Sequence, residues 1–224
     1  MATEIIVTKD GSHSIAIPEM NVTYHSHHGA IQESMHVFIQ AGLEYVVQQA
    51  TLSPVRIFEM GLGTGLNALL AMQYAQQHQL PVQYEAVELH PLAPEFIQQL
   101  NYSQQTGSRL TAEFLALHQS PWQQAIAIAP CFTFTKHRLS LHDFVWEQPF
   151  HLVFYDAFAP AAQPDLWTEA VFTKIYNGLF PGGVLVTYCS KGDVRRALQA
   201  AGFMIEKIPG PPGKREMIRA RKKE

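Results

Sequence analysis

The decapeptide Phe58-Glu59-Met60-Gly61-Leu62-Gly63-Thr64-Gly65-Leu66-Asn67 joins an apolar run at 55–60 to an Ala-rich apolar run at 66–75. The first run predicts a buried strand, and the second a helix capped by Thr64. Three glycines at alternate positions allow a sharp turn and leave room for a ligand where a Cβ would collide. The segment therefore indicates a nucleotide-type cofactor site in an α/β domain. A glycine-rich turn that holds no ligand is the alternative.

The spacing of the glycines separates this segment from two other phosphate-binding loops. A dinucleotide fingerprint requires G-x-G-x-x-G, but Leu66 occupies the third glycine position, and the Gly-Lys-Ser/Thr ending of a P-loop is absent. The pattern G-x-G-x-G with Glu59 upstream resembles the S-adenosylmethionine loop of class I methyltransferases. Glu59 is expected to face a cationic group of that cofactor.

Length and composition indicate a single globular domain. The chain has 224 residues, 47% of them hydrophobic and 16% charged, which is enough to bury a sizeable core. It contains no apolar run of about 18 residues and no secretory signal, so we expect no membrane association and a cytoplasmic location. Cys131 and Cys189 form no C-x-x-C unit, and the cluster of His25, His27 and His28 has no second ligand group. Neither a disulfide framework nor a metal site is expected.

Basic residues are concentrated in the last part of the chain. Of the 16 Lys/Arg and 19 Asp/Glu residues, ten and four respectively lie between Lys191 and Glu224. This asymmetry predicts a basic face for a polyanion on an otherwise acidic body. For residues 219–223 a solubilising tail is the alternative. Four basic residues fall in segments expected to be structured: Arg195, Arg196, Lys214 and Arg215.

Strand and helix patterns alternate through the rest of the chain. Residues 4–7 and 14–17 predict a hairpin, and residues 31–50 a helix. Further strands are expected at 82–89, 150–155, 184–189, 203–208 and 216–220 and as two short strands within 132–144. Further helices are expected after Pro91, at 108–128 with a break near Ser120-Pro121, at 165–177 and at 192–201. Uninterrupted apolar strands separated by helices indicate a parallel sheet covered on both faces.

These patterns predict an α/β fold of the class I methyltransferase, Rossmann-like type. It would have a mostly parallel, seven-stranded sheet with helices on both faces, and the final helix-strand-loop-strand order resembles the antiparallel end of the methyltransferase sheet. Residues 1–224 are expected to form one domain, with a hairpin and helix extension over 1–50 and the core over 51–224.

Acidic residues are predicted at the carboxyl ends of three strands, where open parallel sheets bind their ligands. Glu88 ends the strand after the glycine loop and can accept hydrogen bonds from both hydroxyls of a ribose. Asp143 ends the predicted third strand and can accept one from an adenine amino group. For both residues a solvent-facing acid is the alternative.

Asp156 ends the most apolar strand and opens the segment Asp156-Ala157-Phe158-Ala159-Pro160. Methyl transfer to nitrogen is an in-line displacement by an uncharged amine, yet a primary alkylamine has a pKa of about 10. A carboxylate can hold the N–H groups and stabilise developing positive charge. Asp156 is therefore expected to orient an acceptor amine more than to deprotonate it, and capping of the next helix is the alternative. A G-x-S-x-G elbow, the commonest hydrolase signature, is absent.

Six motifs in order and one upstream segment carry a family resemblance. The motifs are Glu59-Met60-Gly61-Leu62-Gly63-Thr64-Gly65-Leu66-Asn67, Glu88-Leu89-His90-Pro91-Leu92, Asp156-Ala157-Phe158-Ala159-Pro160 with Trp167, Pro181-Gly182-Gly183, Val194-Arg195-Arg196 and Gly213-Lys214-Arg215-Glu216-Met217. The upstream segment includes Tyr24, Gly29-Ala30-Ile31-Gln32-Glu33 and His36-Val37-Phe38-Ile39. Over nearly the whole chain they resemble the methyltransferase domain of the bifunctional bacterial tRNA 5-methylaminomethyl-2-thiouridine enzymes (MnmC-like).

The resemblance implies an enzyme that uses S-adenosylmethionine to methylate the aminomethyl group on the wobble uridine of tRNA, with the anticodon region as its partner. Asp156 is implied at the methyl-acceptor site, with Glu33 nearby as a second catalytic residue. The residues implied to hold the cofactor are Glu59, Gly61, Gly63, Gly65, Asn67, Glu88, Asp143 and Asp156. Those implied to bind tRNA are Lys191, Arg195, Arg196, Lys214 and Arg215.

The flavin-dependent second domain of those bifunctional enzymes has no counterpart in the chain. A stand-alone methyltransferase, preferably monomeric, that receives an aminomethyl substrate from another enzyme is therefore expected. Three alternatives remain: an aminopropyltransferase of the spermidine synthase type, a small-molecule amine N-methyltransferase, and a non-catalytic RNA-binding module. The Asp-x-x-Asp pattern of aminopropyltransferases is broken here, because Ala159 stands at the second acid.

Overall fold

The structure is a computed structural model that describes residues 3–107 and 109–224. The strands are β1 (Glu4–Val7), β2 (His13–Ile17), β3 (Val22–Thr23), β4 (Val55–Met60), β5 (Val82–Val87), β6 (Ile126–Ala129), β7 (Phe132–His137), β8 (Phe150–Tyr155), β9 (Leu179–Thr187), β10 (Met204–Pro209) and β11 (Glu216–Arg221). The α-helices are α1 (Ala30–Ser34), α2 (Tyr45–Gln49), α3 (Leu66–Gln77), α4 (Pro94–Ile97), α5 (Tyr102–Gln105), α6 (Thr111–Gln119), α7 (Glu169–Asn177) and α8 (Gly192–Ala200). A π-helical segment, Met35–Glu44, joins α1 to α2, and 3₁₀ turns cover Pro18–Met20 and Pro164–Trp167.

The strands form two sheets. β1, β2 and β3 make a small antiparallel sheet, and the other eight make one sheet in the order β10-β11-β9-β8-β4-β5-β7-β6. Its five central strands, from β9 to β7, run parallel, while β6, β11 and β10 pair antiparallel at the two edges. The predicted hairpin and parallel sheet are confirmed. The sheet has eight strands instead of seven because β6, whose residues 126–128 were predicted as helical, pairs with β7 as an edge strand.

Other local predictions need correction. The helix predicted over 108–128 is shorter in the structure, where α6 covers only Thr111–Gln119. Ser108 lies outside the described residues. The two strands predicted within 132–144 are one strand, since β7 ends at His137. Pro94, not Pro91, begins the next helix. Thr64 does not cap α3, because Gly65 occupies the N-cap position.

Alternate strand residues face two separate hydrophobic cores. On one face of the large sheet, Ile57 and Phe154 pack with the helical residues 30–49, α3 and α6. On the other face, Phe58 and Tyr155 pack with α7 and α8. The period-two alternation of strand side chains sends each apolar run into both cores. Buried apolar strands of this kind are typical of a sheet that carries helices on both faces.

The N-terminal sheet holds the start of the helical segment 30–49. The Ala30 N–H donates to Ser12 Oγ at 3.2 Å, and the Gln32 N–H donates to Asp10 Oδ2 at 3.0 Å. These side chains satisfy backbone donors that a helix start leaves open. This segment also packs on the large sheet. The boundary that we predicted at residue 50, between an N-terminal extension and the core, stays a prediction. Within the described residues, no helix combines the length and the hydrophobicity that a bilayer crossing requires.

Candidate active site

The glycine loop, residues 61–65, connects β4 to α3. Its three glycines have φ values of +86°, +51° and +74°, in the region that residues with a side chain rarely adopt. A Cβ on Gly65 would lie 2.6 Å from His118 Nε2, and one on Gly63 would lie 3.0 Å from the ring of Tyr24. The predicted sharp turn is confirmed, and the protein's own side chains crowd it.

A cavity of about 250 Å³ opens beside this loop, where β4, β5 and β8 end. Its walls include residues of the glycine loop, residues 87–90, residues 139–141 and residues 156–158, together with Tyr24. This is the edge at which open parallel sheets bind ligands. We refer to this space as the loop cavity.

Glu88 lines the loop cavity directly after β5. One carboxylate oxygen accepts a hydrogen bond from the Gly63 N–H at 2.9 Å, and the other accepts one from the His90 N–H at 2.8 Å. These donors fix the side chain, while each oxygen keeps a second lone pair for a ligand hydroxyl. Glu88 therefore lies at the end of β5, as predicted, and its role toward a ribose stays a prediction.

Asp143 is not among the residues that line the loop cavity. It occupies an exposed turn, where its backbone N–H donates to Ser140 O at 3.0 Å. The prediction that Asp143 ends the third strand is wrong, because Leu141 and Phe144 turn into the core instead of continuing β7. Residues 139–141 line the cavity in its place, and sequence reasoning missed them because their apolar pattern predicted a strand.

Glu59 is fully buried in β4, behind the wall of the loop cavity. Its Oε1 accepts a hydrogen bond from Asn67 Nδ2 at 2.9 Å, and the same nitrogen donates to Asp156 Oδ2, also at 2.9 Å. Burial raises the pKa of Glu59 well above its usual value, and the nearby Asp156 carboxylate raises it further. Glu59 is therefore placed to act through Asn67, which orients Asp156.

Asp156 directly follows β8, and its backbone N–H donates to Met60 O of the neighbouring strand at 3.2 Å. Burial raises the pKa of its carboxyl from 3.8 to about 7, and the negative charge of Glu33 adds to the rise. The hydrogen bond from Asn67 and the positive charge of Lys214 oppose it. A carboxyl group with this pKa can exchange a proton near neutral pH.

A second cavity, of about 360 Å³, adjoins the first at Asp156. Glu33, Tyr188 and Lys214 line it, together with residues 21–28. We call it the acidic cavity. The residues that line both cavities are Tyr24, His25, Asp156, Ala157 and Phe158.

Glu33 brings a second carboxylate into the acidic cavity and is only 7% exposed. Its Oε2 accepts a hydrogen bond from the Ser26 N–H at 2.8 Å, and its Oε1 pairs with Lys214 Nζ. The same ammonium lies 4.1 Å from the centroid of the Tyr188 ring. The Tyr188 hydroxyl in turn donates to Ala157 O at 2.9 Å. The structure therefore brings both predicted catalytic residues to one cavity.

Two aromatic residues of the site were not predicted from the sequence. Tyr24 packs edge-to-face on Phe158, with ring centroids 5.1 Å apart, between the two cavities. Tyr188 lies within an apolar run, and the strand pattern identified it only as a core residue.

His25 also lines both cavities. Burial lowers the pKa of His25 to about 4 against the opposing effect of Glu33, so its imidazole is neutral at physiological pH.

The basic residues of the C-terminal part differ in their surroundings: some are open to solvent, and others are held within the sheet. Arg195 and Arg215 lie near Glu216, whose pKa is lowered first by a hydrogen bond from Lys207 and also by these two charges. Within β11, by contrast, the guanidinium of Arg219 pairs with a glutamate and stacks on a tyrosine ring. A solubilising tail therefore does not describe Arg219. The predicted tRNA-binding residues at least partly open to solvent are Lys191, Arg195, Arg196, Lys214 and Arg215.

Residues 103–223 match a family model described as S-adenosyl-L-methionine-dependent methyltransferase. The chain belongs to this methyltransferase family. It is thus an enzyme, and S-adenosyl-L-methionine is its cofactor. The predicted cofactor and reaction class are confirmed.

Curated relatives carry a more specific name. The chain is 33% identical over 207 residues to the tRNA 5-methylaminomethyl-2-thiouridine biosynthesis bifunctional protein MnmC of Pseudomonas putida KT2440, covering 84% of this chain and 30% of that protein. The protein of the same name from Aromatoleum aromaticum EbN1 is 32% identical over 220 residues, covering 90% and 33% respectively. The methyltransferase chain thus spans about a third of the length of these relatives.

Solved structures show the same fold. MNMC2 from Aquifex aeolicus superposes with a TM-score of 0.77 at 24% identity, covering 98% of this chain and 70% of that chain. Spermidine synthase from Thermotoga maritima superposes with a TM-score of 0.54 at 11% identity, covering 98% and 68%. The predicted class I methyltransferase fold is confirmed.

The loop cavity of this methyltransferase suits S-adenosyl-L-methionine. We propose that Glu88 accepts the ribose hydroxyls and that Leu139 and Leu141 pack against the adenine. Asn67 Oδ1 is buried and has no hydrogen-bond partner among the described residues. A buried acceptor without a donor is costly, and the amino group of the methionine moiety is a donor of the kind it needs.

Proposed function

We propose that the chain transfers the methyl group of S-adenosyl-L-methionine to the aminomethyl nitrogen of a wobble uridine in tRNA, converting 5-aminomethyl-2-thiouridine to 5-methylaminomethyl-2-thiouridine. The observation that carries the proposal is the meeting of two cavities at Asp156. One suits the cofactor, and the other presents carboxylates and an aromatic ring to a cationic amine. The names of the MnmC relatives support this choice of substrate.

The acidic cavity attracts the amine in its protonated form. A primary alkylamine has a pKa of about 10 and arrives as an ammonium ion. The carboxylates of Glu33 and Asp156 attract this cation, and the ring of Tyr188 offers a π face. The nitrogen must then lose a proton, because its lone pair forms the new bond.

Asp156 is suited to take this proton. Transfer from an ammonium to an ordinary aspartate is uphill by about 6 pKa units, or about 8 kcal/mol. With the Asp156 pKa near 7, the gap falls to about 3 units, or about 4 kcal/mol. The raised pKa therefore adds a general-base role to the orienting role that the sequence predicts.

The remaining residues prepare the geometry of the transfer. When bound, S-adenosyl-L-methionine supplies an electrophilic methyl group on a sulfonium. Glu59 and Asn67 hold the Asp156 carboxylate in one direction, so that the amine lone pair is aimed consistently. Glu33 stabilises the positive charge that develops on the nitrogen.

Methyl transfer to tRNA gives the direct test. Purified protein with methyl-labelled S-adenosyl-L-methionine is expected to label tRNA that carries 5-aminomethyl-2-thiouridine and to leave tRNA with an unmodified wobble uridine unlabelled. Digestion and mass spectrometry should place the methyl on the aminomethyl nitrogen. Transfer to polyamines or other small amines, with tRNA unlabelled, would instead establish a small-molecule transferase.

Charge reversal at Lys191, Arg195 and Arg215 tests the tRNA partner. Arg196 is left intact because it pairs with Asp193. The triple Glu variant is expected to bind tRNA about 100-fold more weakly at low salt and to reduce the salt slope of log K by about 3, since each lost phosphate contact removes roughly one counterion. Fluorescence anisotropy over a salt series measures both quantities.

The matched control is Lys9→Glu, a reversal of one exposed charge in the N-terminal hairpin. It is expected to weaken tRNA binding by no more than about fivefold and to lower the salt slope by no more than about 1, because it reverses one charge and not three. If the triple variant and this control behave alike, the basic cluster does not bind tRNA.

A further inference from the structure

The Lys214 ammonium lies inside the acidic cavity, although its side chain belongs to a surface loop. It pairs with Glu33 Oε1 and lies 4.1 Å from the centroid of the Tyr188 ring. Its charge is also close enough to lower the pKa of Asp156. A primary ammonium of this chain is therefore held by the Glu33 carboxylate and an aromatic face, with the Asp156 carboxylate within range of its charge.

These are the same groups that the proposed function assigns to the substrate. The aminomethyl group of a uridine is also a primary ammonium on a short carbon stem. We propose that Lys214 occupies the amine subsite as an internal substitute, and that an RNA phosphate draws it out, so that the subsite accepts an amine only when a polynucleotide carries it. This inference rests on the proposed function and adds a specificity-determining residue to it.

The structure shows which partner can move. Glu33 is fixed through its second oxygen by the Ser26 N–H at 2.8 Å. The Lys214 backbone is also fixed, since its N–H donates to Pro211 O at 2.9 Å and the Gly210 N–H donates to Arg215 O at 3.2 Å. The lysine stem of four carbons has no such restraint, and the side chain is 32% exposed in the ion pair. Release therefore needs side-chain rotation and no loop opening.

The covalent attachment of Lys214 to the chain explains why the amine subsite would reject a free amine. Lys214 is covalently attached beside Glu33, so its effective concentration at the subsite is in the millimolar range or above. A free amine must displace it without offering it another partner. A tRNA substrate brings phosphates next to the exposed Arg215, and a phosphate can accept the displaced ammonium.

The test compares two substrates in three proteins. The substrates are tRNA that carries 5-aminomethyl-2-thiouridine and the free nucleoside 5-aminomethyluridine, which has no phosphate. The proteins are wild type, Lys214→Met, which keeps the stem and removes the charge, and Lys207→Met as the matched control. Lys207 forms an ion pair with Glu216 at 2.7 Å and lines neither cavity.

Lys214→Met is expected to raise kcat/KM for the nucleoside about fivefold and to lower it for tRNA about fivefold, as expected for loss of one partly exposed ion pair and one phosphate contact. The discrimination between the two substrates then falls about 25-fold. The Lys207→Met control should keep the wild-type ratio. A Lys214→Met ratio within about twofold of wild type, or an equal loss on both substrates, would overturn the inference.

A binding measurement separates this inference from the proposed function. With S-adenosylhomocysteine present, ethylammonium is expected to bind Lys214→Met about fivefold more tightly than wild type by calorimetry, because the subsite is vacated. Equal or weaker binding shows that Lys214 does not occupy an ammonium subsite. Tighter binding without methylation of any aminomethyluridine would retain the subsite and reject the proposed tRNA function.

Discussion

Replacement of Asp156 by asparagine is expected to lower kcat for methyl transfer by about 10²- to 10⁴-fold and to leave the affinity for S-adenosyl-L-methionine within about twofold of wild type. Asparagine keeps an oxygen that can accept the Asn67 hydrogen bond, which measures 2.9 Å in the wild type. It carries no negative charge and cannot take up a proton. Single-turnover kinetics measures the first effect, and calorimetry with the cofactor measures the second.

The pH dependence of the same variant separates a base from an orienting group. Burial and the charge of Glu33 raise the pKa of Asp156 to about 7, and the carboxylate is the active form. Wild-type kcat/KM is therefore expected to fall as pH decreases below 7 and to level off above it. Asp156→Asn should lose this limb. A wild-type profile that is flat from about pH 5 to about pH 8 contradicts the base role.

A thermal melt distinguishes a loss of activity in Asp156→Asn from a loss of folding. The pKa of Asp156 is raised in the folded protein, so the folded state binds this proton more tightly than the unfolded state, and stability falls as pH rises from 3.8 through about 7. Asparagine removes that penalty. At pH 8, a thermal melt of Asp156→Asn is therefore expected to show a Tm no lower than that of wild type.

Gly65→Ala is expected to weaken binding of S-adenosyl-L-methionine about 30- to 100-fold, and calorimetry measures this directly. At a φ of +74°, an alanine costs roughly 1–2 kcal/mol in backbone strain. Its Cβ would also lie 2.6 Å from His118 Nε2, so the ring or the loop must shift. The His118 ring is held by a 3.1 Å hydrogen bond to Thr64 O, so a shift disturbs the same loop that forms the cavity wall.

Gly182→Ala is the matched control for backbone strain. Gly182 has a φ of +75°, and a Cβ there would meet nothing within 4 Å. Both variants therefore carry the same strain, and only Gly65→Ala adds the collision at the cofactor loop. Gly182→Ala is expected to lower Tm slightly and to bind the cofactor like wild type. Equal cofactor affinity in the two variants would falsify the assignment of the collision as the cause.

The alternation of apolar strands and helices was sufficient to predict the fold class. The run at 150–155 is apolar at every position except His151 because its side chains enter both cores, and it was placed correctly as β8. The pattern failed at the edges of the sheet. Strand β6 is only four residues long and is partly exposed, so pairing with β7 decides its conformation more than local propensity does.

The candidate site shows the same division. Glu88 was placed at the end of β5 because the strand that precedes it is clear in the sequence. Asp143 was misplaced because Leu139 and Leu141 alternate like a strand, yet residues 141–143 form a turn from which Leu141 and Phe144 pack into the core. Sequence periodicity reports which side chains are buried, but not which element buries them.

The glycine loop, the order of the strands along the chain and the acid that follows β8 are local features, and the amino-acid sequence specifies them through backbone sterics and hydrophobic periodicity. The pKa of Asp156 and the pairing of Lys214 with Glu33 are different, because their causes lie far apart in the chain. Lys214 and Glu33 are separated by 181 residues, and neither carries a local pattern that names the other. Folding brings them beside Asp156, and burial in that shared cavity converts an ordinary carboxyl into one that can act as a base at neutral pH.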